Sequence, residues 1–203
     1  QIKDYYPRIV DKLLDLQLQA SGAVLIEGAK WIGKTYTGRV KASSVLYMQD
    51  TDHSASYLKL AETQPSLLLR GETPRLLDEW QEAPVLWDAV RFATDQRGEM
   101  GQFILTGSAV PSDSETKHTG TGRIARVLMR PMSLYESKES SGDVSLKSLF
   151  DGVETVEGFN HITIEQMAFI LCRGGWPAAV KQTNEKVALQ TARNYVIQVS
   201  EHD

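Results

Sequence analysis

The sequence lacks most of the features that mark specialised classes of protein. One cysteine, Cys172, excludes an internal disulfide framework. The four histidines are scattered without metal-ligand spacing, and the net charge of −4 gives no overall positive surface for a polyanion. No apolar run is long enough to span a membrane, and no signal peptide opens the chain, so we expect a cytoplasmic protein without membrane contact.

Apolar residues are plentiful enough for a buried core, at 41% of the 203 residues. That length suits one domain with an appendage, or two small domains. The chain begins with Gln1 and stops at Asp203 inside a helical pattern, so we expect it to be a fragment of a longer protein.

The most informative stretch is GAKWIGKT, from Gly28 to Thr35. It fits G-x-x-x-x-G-K-[ST], the phosphate-binding loop, which average residue usage would produce by chance in roughly one chain in a hundred of this length. The apolar run at 23–26 predicts a buried strand before the loop, and a helix is predicted from Lys34 to about Lys41. Strand, loop and helix form the context that the motif requires, although a plain glycine turn remains the simpler alternative.

The residue types of this loop explain how it would hold phosphate. Successive backbone N–H groups point into one concavity, and the N-terminus of the next helix adds its positive dipole end. Gly28 and Gly33 permit backbone angles that a side chain would block. Lys34 would reach the β- and γ-phosphates, and Thr35 would hold Mg²⁺. The predicted nucleotide contacts in and beside the loop are Gly28, Ala29, Lys30, Trp31, Ile32, Gly33, Lys34, Thr35 and Tyr36.

A second stretch, RLLDEW at residues 75–80, predicts a short strand that ends in two carboxylates. In a phosphate-loop enzyme Asp78 would bind Mg²⁺, and Glu79 would polarise the attacking water. Adjacent carboxylates about forty residues after a phosphate loop favour this interpretation. Two solvated loop carboxylates are the plainer alternative.

A third strand, predicted over 102–106, ends in small polar residues. In this kind of fold its end lies beside the γ-phosphate, so Thr106 or Ser108 would sense phosphate or hold the water. A simple Gly-Ser turn explains the same residues equally well.

A basic stretch follows, because four Lys or Arg residues and no acidic residue lie between positions 116 and 130. An arginine near the γ-phosphate neutralises charge in the transition state, and Arg123 is our candidate for this finger. A basic face for nucleic acid and ordinary surface charge are the alternatives. A finger acting across a subunit boundary would require a homo-oligomer.

The rest of the chain is organised by helical and strand periodicity. Residues 49–53 hold two carboxylates and a histidine, which favour a polar loop with a helix cap over a metal site. A capping box at 163–166 opens a late helix. The remaining predicted elements are helices at 5–20, 54–60, 84–97, 163–172 and 184–201, and strands at 44–48 and 126–129.

Several stretches together resemble the predicted AAA-superfamily ATPases of bacteria and archaea, which carry a C-terminal domain thought to be restriction-endonuclease-like. The arginine-proline-methionine-serine-leucine run at 130–134 and the glycine-glycine-tryptophan-proline run at 174–177 are the most specific. The other matching stretches are 6–11, 27–35, 77–79, 104–108, 118–120 and 122–124.

This resemblance implies an α/β fold, a three-layer phosphate-loop NTPase sandwich with a central parallel sheet, followed by a small helical region. It implies an ATPase core over 1–135 and a helical region over 136–203 that leads to a domain largely absent from this chain. Glu79 becomes the catalytic glutamate, and ATP rather than GTP becomes the expected nucleotide. A nucleotide-dependent switch without turnover, a phosphotransferase and a nucleic-acid-associated motor are the alternative functions.

Overall fold

The structure, a computed structural model, describes residues 5–107 and 122–202, and the chain divides into two compact units, Gln1–Arg130 and Pro131–Asp203. The first unit alternates helices and strands. Its helices are α1 (Val10–Ala20), α2 (Lys34–Lys41), α3 (Ser54–Thr63) and α4 (Val85–Arg97). Its strands are β1 (Ala23–Glu27), β2 (Ser44–Tyr47), β3 (Arg75–Asp78), β4 (Phe103–Thr106) and β5 (Ile124–Leu128).

These five strands form one parallel sheet in the order β2-β3-β4-β1-β5. Side chains alternate between the two faces of a strand, so each strand contributes to two cores. On one face Leu25, Leu77 and Leu105 are fully buried in a cluster with residues of α3 and α4. On the other face Gly38 of α2 lies directly over Leu76 and Ile104. Helices therefore cover both faces, and the predicted three-layer α/β sandwich is confirmed.

The register of the sheet aligns the ends of its central strands. Asp78 on β3 pairs with Thr106 on β4, and Thr106 pairs with Ile26 on β1. All strands run in the same direction, so the segments that follow β1, β3 and β4 leave from the same edge. In open parallel sheets this carboxyl edge is where ligands bind.

The structure shifts some of the predicted boundaries. Helix α1 begins at Val10 and not at Tyr5, because Arg8 donates its backbone N–H to the Asp11 carboxylate (2.8 Å) in the turn before the helix. Strand β5 begins at Ile124, two residues before the predicted start. Among the described residues, no helix is long and apolar enough to cross a membrane.

The second unit contains four helices in its described part. They are α5 (Leu146–Phe150), α6 (Ile164–Arg173), α7 (Pro177–Val180) and α8 (Glu185–His202). The capping box predicted for α6 is confirmed. The Thr163 hydroxyl accepts the Gln166 N–H (3.2 Å), and the Gln166 side chain accepts the Thr163 N–H (2.9 Å). This reciprocal pair satisfies two helix-end donors that would otherwise lack partners.

The run RGGWP at 173–177 has a packing explanation within this unit. A Cβ on Gly175 would lie 2.2 Å from the Met132 carbonyl oxygen, so only glycine fits there. Gly174 has φ 70° and ψ −167°, a conformation essentially restricted to glycine. The Trp176 ring packs on Tyr195 with 4.4 Å between centroids. The run therefore joins α6 to α7 through two positions that exclude side chains.

The Arg173 guanidinium of the same run is buried and holds the Glu139 carboxylate with both terminal nitrogens (Nη2–Oε2 2.9 Å). Burial alone would raise the pKa of Glu139, but hydrogen bonds from Arg173 and Ser137 and the Arg173 charge outweigh it and lower that pKa below 4.5. A depressed carboxylate pKa stabilises the fold above the unfolded-state pKa. This stability is lost as the pH falls through the folded-state pKa.

We therefore expect Glu139→Gln to lower the free energy of unfolding by about 1–3 kcal/mol at neutral pH, because Arg173 stays buried without its anion. The difference from wild type should shrink as the pH falls below the ordinary glutamate range and vanish once the pH has passed below the lowered pKa of Glu139. Chemical denaturation followed by helical circular dichroism measures both values. The exposed Glu154, changed to Gln, is the control, and a difference that persists in acid would contradict the assignment.

Candidate functional site

The loop between β1 and α2 bends through three residues with positive φ. Gly28 has φ 144°, Trp31 has φ 63° and Gly33 has φ 101°. A Cβ on Gly28 would lie 2.3 Å from the carbonyl oxygen of Met129, so that position requires glycine. Trp31 adopts the left-handed region despite its bulk and leaves 59% of its surface exposed. Such backbone strain tends to persist where a site is built.

Lys34 begins α2 and is almost completely buried. Its ammonium group donates to the carbonyl oxygens of Gly28 and Ala29, each 2.9 Å away. Burial lowers the pKa of Lys34, while the nearby carboxylates of Glu79 and Asp78 act to raise it. The side chain thus lies along the loop with two acidic groups in its surroundings.

Asp78, at the end of β3, is hydrogen-bonded both to α2 and to the central strand β4. One oxygen of its carboxylate accepts hydrogen bonds from the Thr35 hydroxyl (2.7 Å) and from the buried Thr106 hydroxyl (2.6 Å). Two hydroxyls and a carboxylate from three different elements therefore meet at one point. In the described part of the chain no three His, Cys, Asp or Glu residues are grouped as a metal site.

Glu79 leaves the strand in the left-handed conformation, at φ 56° and ψ 49°. Its carboxylate accepts a hydrogen bond from the side-chain amide of Gln81. Gly107, which follows β4, provides the space for that amide, because a Cβ there would lie 2.1 Å from Gln81 Oε1. Sequence reasoning missed Gln81, since a glutamine two residues after a carboxylate is not a specific signal.

The buried Trp80 anchors this turn. Its ring packs on Trp87 of α4 with 5.3 Å between centroids, and it leaves 1% of its surface exposed. Asp78, Glu79 and Gln81 are therefore held by a side chain that belongs to the core. The Asp78 carboxylate therefore contacts Thr35, and the Glu79 carboxylate contacts Gln81.

The structure places Arg123 away from this site within one chain, and its role as an arginine finger stays a prediction. Arg123 precedes β5, and Ala23 at the start of β1 donates its N–H to the Arg123 carbonyl (3.1 Å). Its guanidinium Nε donates to Asp95 of α4 at 2.8 Å. Because the strands are parallel, this position lies at the sheet edge opposite the loop. The other candidate, Ser108, lies outside the described residues.

The segment at 49–53 forms a hydrogen-bonded turn. Asp50 accepts the Asp52 N–H (3.0 Å) and contacts the His53 ring (3.1 Å), and that ring stacks on Tyr57. The N-cap residue of α3, His53, makes no side-chain cap hydrogen bond, so the predicted cap is wrong in that detail. The hydrogen bonds of Asp50 serve the turn that leads into α3.

Comparisons with known proteins agree with this geometry. A family profile described as an AAA domain matches residues 20–138, which is more than half of the chain. The chain is also similar to the solved structure of a Walker-type ATPase of Pyrococcus abyssi, with a TM-score of 0.54 and 15% identity over 99% of this chain and 76% of that chain. At that identity the likeness concerns the fold. No curated protein matches the chain.

Proposed function

Because the chain belongs to the AAA domain family, we propose that it binds ATP with Mg²⁺ at the loop 28–35 and hydrolyses its terminal phosphoanhydride bond. One observation carries the proposal. A single sheet edge brings together the start of α2, the carboxylates at the end of β3 and the end of β4. There the hydroxyls of Thr35 and Thr106 both donate to Asp78 within 2.7 Å. A bound nucleoside triphosphate and its cation need the loop, the hydroxyl groups and the carboxylates in one place.

The loop would bind the phosphates through its backbone N–H groups, from Gly28 to Tyr36, and through Lys34. The Lys34 ammonium already donates to two loop carbonyls, so its reach along the loop is established. Phosphate oxygens would replace those neutral acceptors with charged ones, which adds attraction between opposite charges to the hydrogen bonds of Lys34.

The oxygen atoms of Thr35 and Asp78 fit Mg²⁺. This ion prefers oxygen ligands and is commonly held by one or two carboxylates together with substrate phosphates, which suits a site with few protein ligands. Thr106 would orient Asp78 through their shared hydrogen bond. When bound, the ion would neutralise charge that develops on the phosphates.

Glu79 would act on the attacking water. Its carboxylate would take a proton as the water oxygen bonds to the γ-phosphorus, while the bond from that phosphorus to the β–γ bridging oxygen breaks and ADP leaves. Gln81 would hold the carboxylate in place through its side-chain amide.

Several finer assignments belong to the same proposal. Arg123 would serve as a finger from a neighbouring subunit, in a homo-oligomer, because it lies far from the loop of its own chain. The proposed preference for ATP over GTP rests on membership of the AAA domain family. The core at 1–135, the helical region at 136–203, a cytoplasmic location and a nucleic-acid partner stay predictions from the sequence.

A nucleotide-dependent switch with negligible turnover is the second candidate function. The hydrogen bond from Gln81 favours it, because this bond already occupies one oxygen of the Glu79 carboxylate. Steady-state phosphate release at saturating Mg·ATP separates the two functions, since a switch would bind without turnover.

The first test uses Trp31, which is exposed inside the loop. We expect Mg·ATP to change its fluorescence saturably, because bound phosphate alters the surroundings of the indole. Trp176→Phe, in the second unit, should keep the full change, which excludes Trp176 as the responding residue. No saturable change, together with no heat of binding by calorimetry, would contradict the proposed function.

A further inference from the structure

Arg8 is a buried arginine that lies before α1, outside the phosphate-loop motif. It leaves 6% of its surface exposed. Its Nη1 donates to the carbonyl oxygen of Ile32 at 2.8 Å, and its Nη2 donates to the carbonyl oxygen of Arg130 at 2.7 Å. One guanidinium therefore joins the phosphate loop to the segment that follows β5.

The contact to Ile32 has a direct consequence for the loop. The Ile32–Gly33 peptide is planar and trans, so its C=O and N–H groups point in opposite directions. Because Arg8 holds the Ile32 carbonyl, the Gly33 N–H points away from the Arg8 guanidinium. Gly33 tolerates this orientation at φ 101° because it has no side chain.

The neighbours of Arg8 are themselves fixed. Asp11 accepts the Arg8 backbone N–H (2.8 Å) and the Tyr5 hydroxyl (2.6 Å). The Tyr5 oxygen also lies 3.1 Å from the hydroxyl of the buried Thr37 on α2. The segment that carries Arg8 is thus tied to the helix that follows the loop.

We propose that Arg8 is a positioning residue, whose guanidinium fixes the Ile32–Gly33 peptide so that the Gly33 N–H faces the phosphates of a bound nucleoside triphosphate. This inference rests on the proposed function of the loop. Arg8 touches the backbone of the loop and acts through it. A planar guanidinium suits the task because it serves two carbonyls at once, which a lysine ammonium does less well.

The first experiment needs no nucleotide. The order parameter of the Gly33 N–H bond, from ¹⁵N relaxation of the whole chain, should be about 0.85 in the wild type and below about 0.6 in Arg8→Met. Arg8→Lys should lie between them. An unchanged Gly33 order parameter in a folded Arg8→Met protein would overturn the inference.

The second experiment measures Mg·ATP affinity by calorimetry. Arg8→Met should weaken binding about tenfold, and Arg8→Lys less, because a mobile peptide must be ordered again when phosphate binds. Arg75→Met is the matched control. Arg75 also donates to a backbone carbonyl, that of Leu68 (3.0 Å), but it lies at the start of β3, on the edge opposite the loop.

The control variant should lose stability and keep its affinity. Equal loss of affinity in Arg8→Met and Arg75→Met would show general destabilisation and overturn the positioning role. If the wild type itself does not bind Mg·ATP, the proposed function fails. The Gly33 order parameter then still decides whether Arg8 fixes the peptide.

Discussion

Glu79→Gln should bind Mg·ATP as the wild type does and lose turnover by about 10²- to 10⁴-fold, the usual contribution of a general base. The new amide has the size of the carboxylate, and its oxygen can still accept the hydrogen bond from Gln81. Shape and position are retained while the basic oxygen pair is removed. Phosphate release at saturating Mg·ATP, set against the dissociation constant from calorimetry, measures the two effects separately.

The matched control is Glu82→Gln, which makes the same change three residues along the chain. Glu82 accepts a hydrogen bond from Gln49 (2.9 Å), and it belongs to the turn at 80–82. We expect this variant to retain turnover. Full turnover in Glu79→Gln would show that Glu79 is not the base, and equal loss in both variants would point to the fold of the turn.

The backbone of Glu79 explains how two neighbouring carboxylates can have different tasks. Asp78 is the last residue of β3 and bonds to Thr35 and Thr106. Glu79 turns away at once through the left-handed region, where a non-glycine residue costs about 1–3 kcal/mol. The strain separates the proposed cation ligand from the proposed base, and the burial of Trp80 stabilises the strained turn.

The local part of this site was predictable from the sequence. The loop, its strand and its helix occupy consecutive residues, and helix α2 begins and ends at the predicted Lys34 and Lys41. The apolar run before Asp78 likewise forms the predicted strand. Secondary-structure propensity and motif spacing suffice here, because the residues that determine the strand, the loop and the helix are close together in the sequence.

The parts that the sequence did not place depend on contacts between distant residues. Charge and its position after Gly122 mark Arg123 as a finger candidate, but only the parallel pairing of β5 with β1 shows that the start of β5 lies at the sheet edge opposite the loop. Arg8 contacts Ile32 and Arg130, which are 24 and 122 positions away. No local pattern marks such a pair, so its discovery required the fold.

The second large effect is expected for Lys34→Ala. Removal of the ammonium should lower Mg·ATP affinity by about ten- to a hundredfold, because hydrogen bonds to charged groups contribute about 1.5–3 kcal/mol each. Burial lowers the pKa of Lys34, so its charge is unfavourable in the folded chain without nucleotide. We therefore expect little loss of stability in the absence of Mg·ATP, and this separates a binding defect from a folding defect.

Lys41→Ala tests whether the charge or its position matters. Lys41 ends the same helix and pairs with Asp15 at 2.7 Å, so this variant removes an equal charge about 10 Å further along α2. It should bind Mg·ATP like the wild type. Long-range attraction between the protein and a polyanion would affect both variants alike, whereas direct contact affects Lys34→Ala alone. Unchanged affinity in Lys34→Ala, measured by calorimetry with intact folding, would remove Lys34 from the phosphate site.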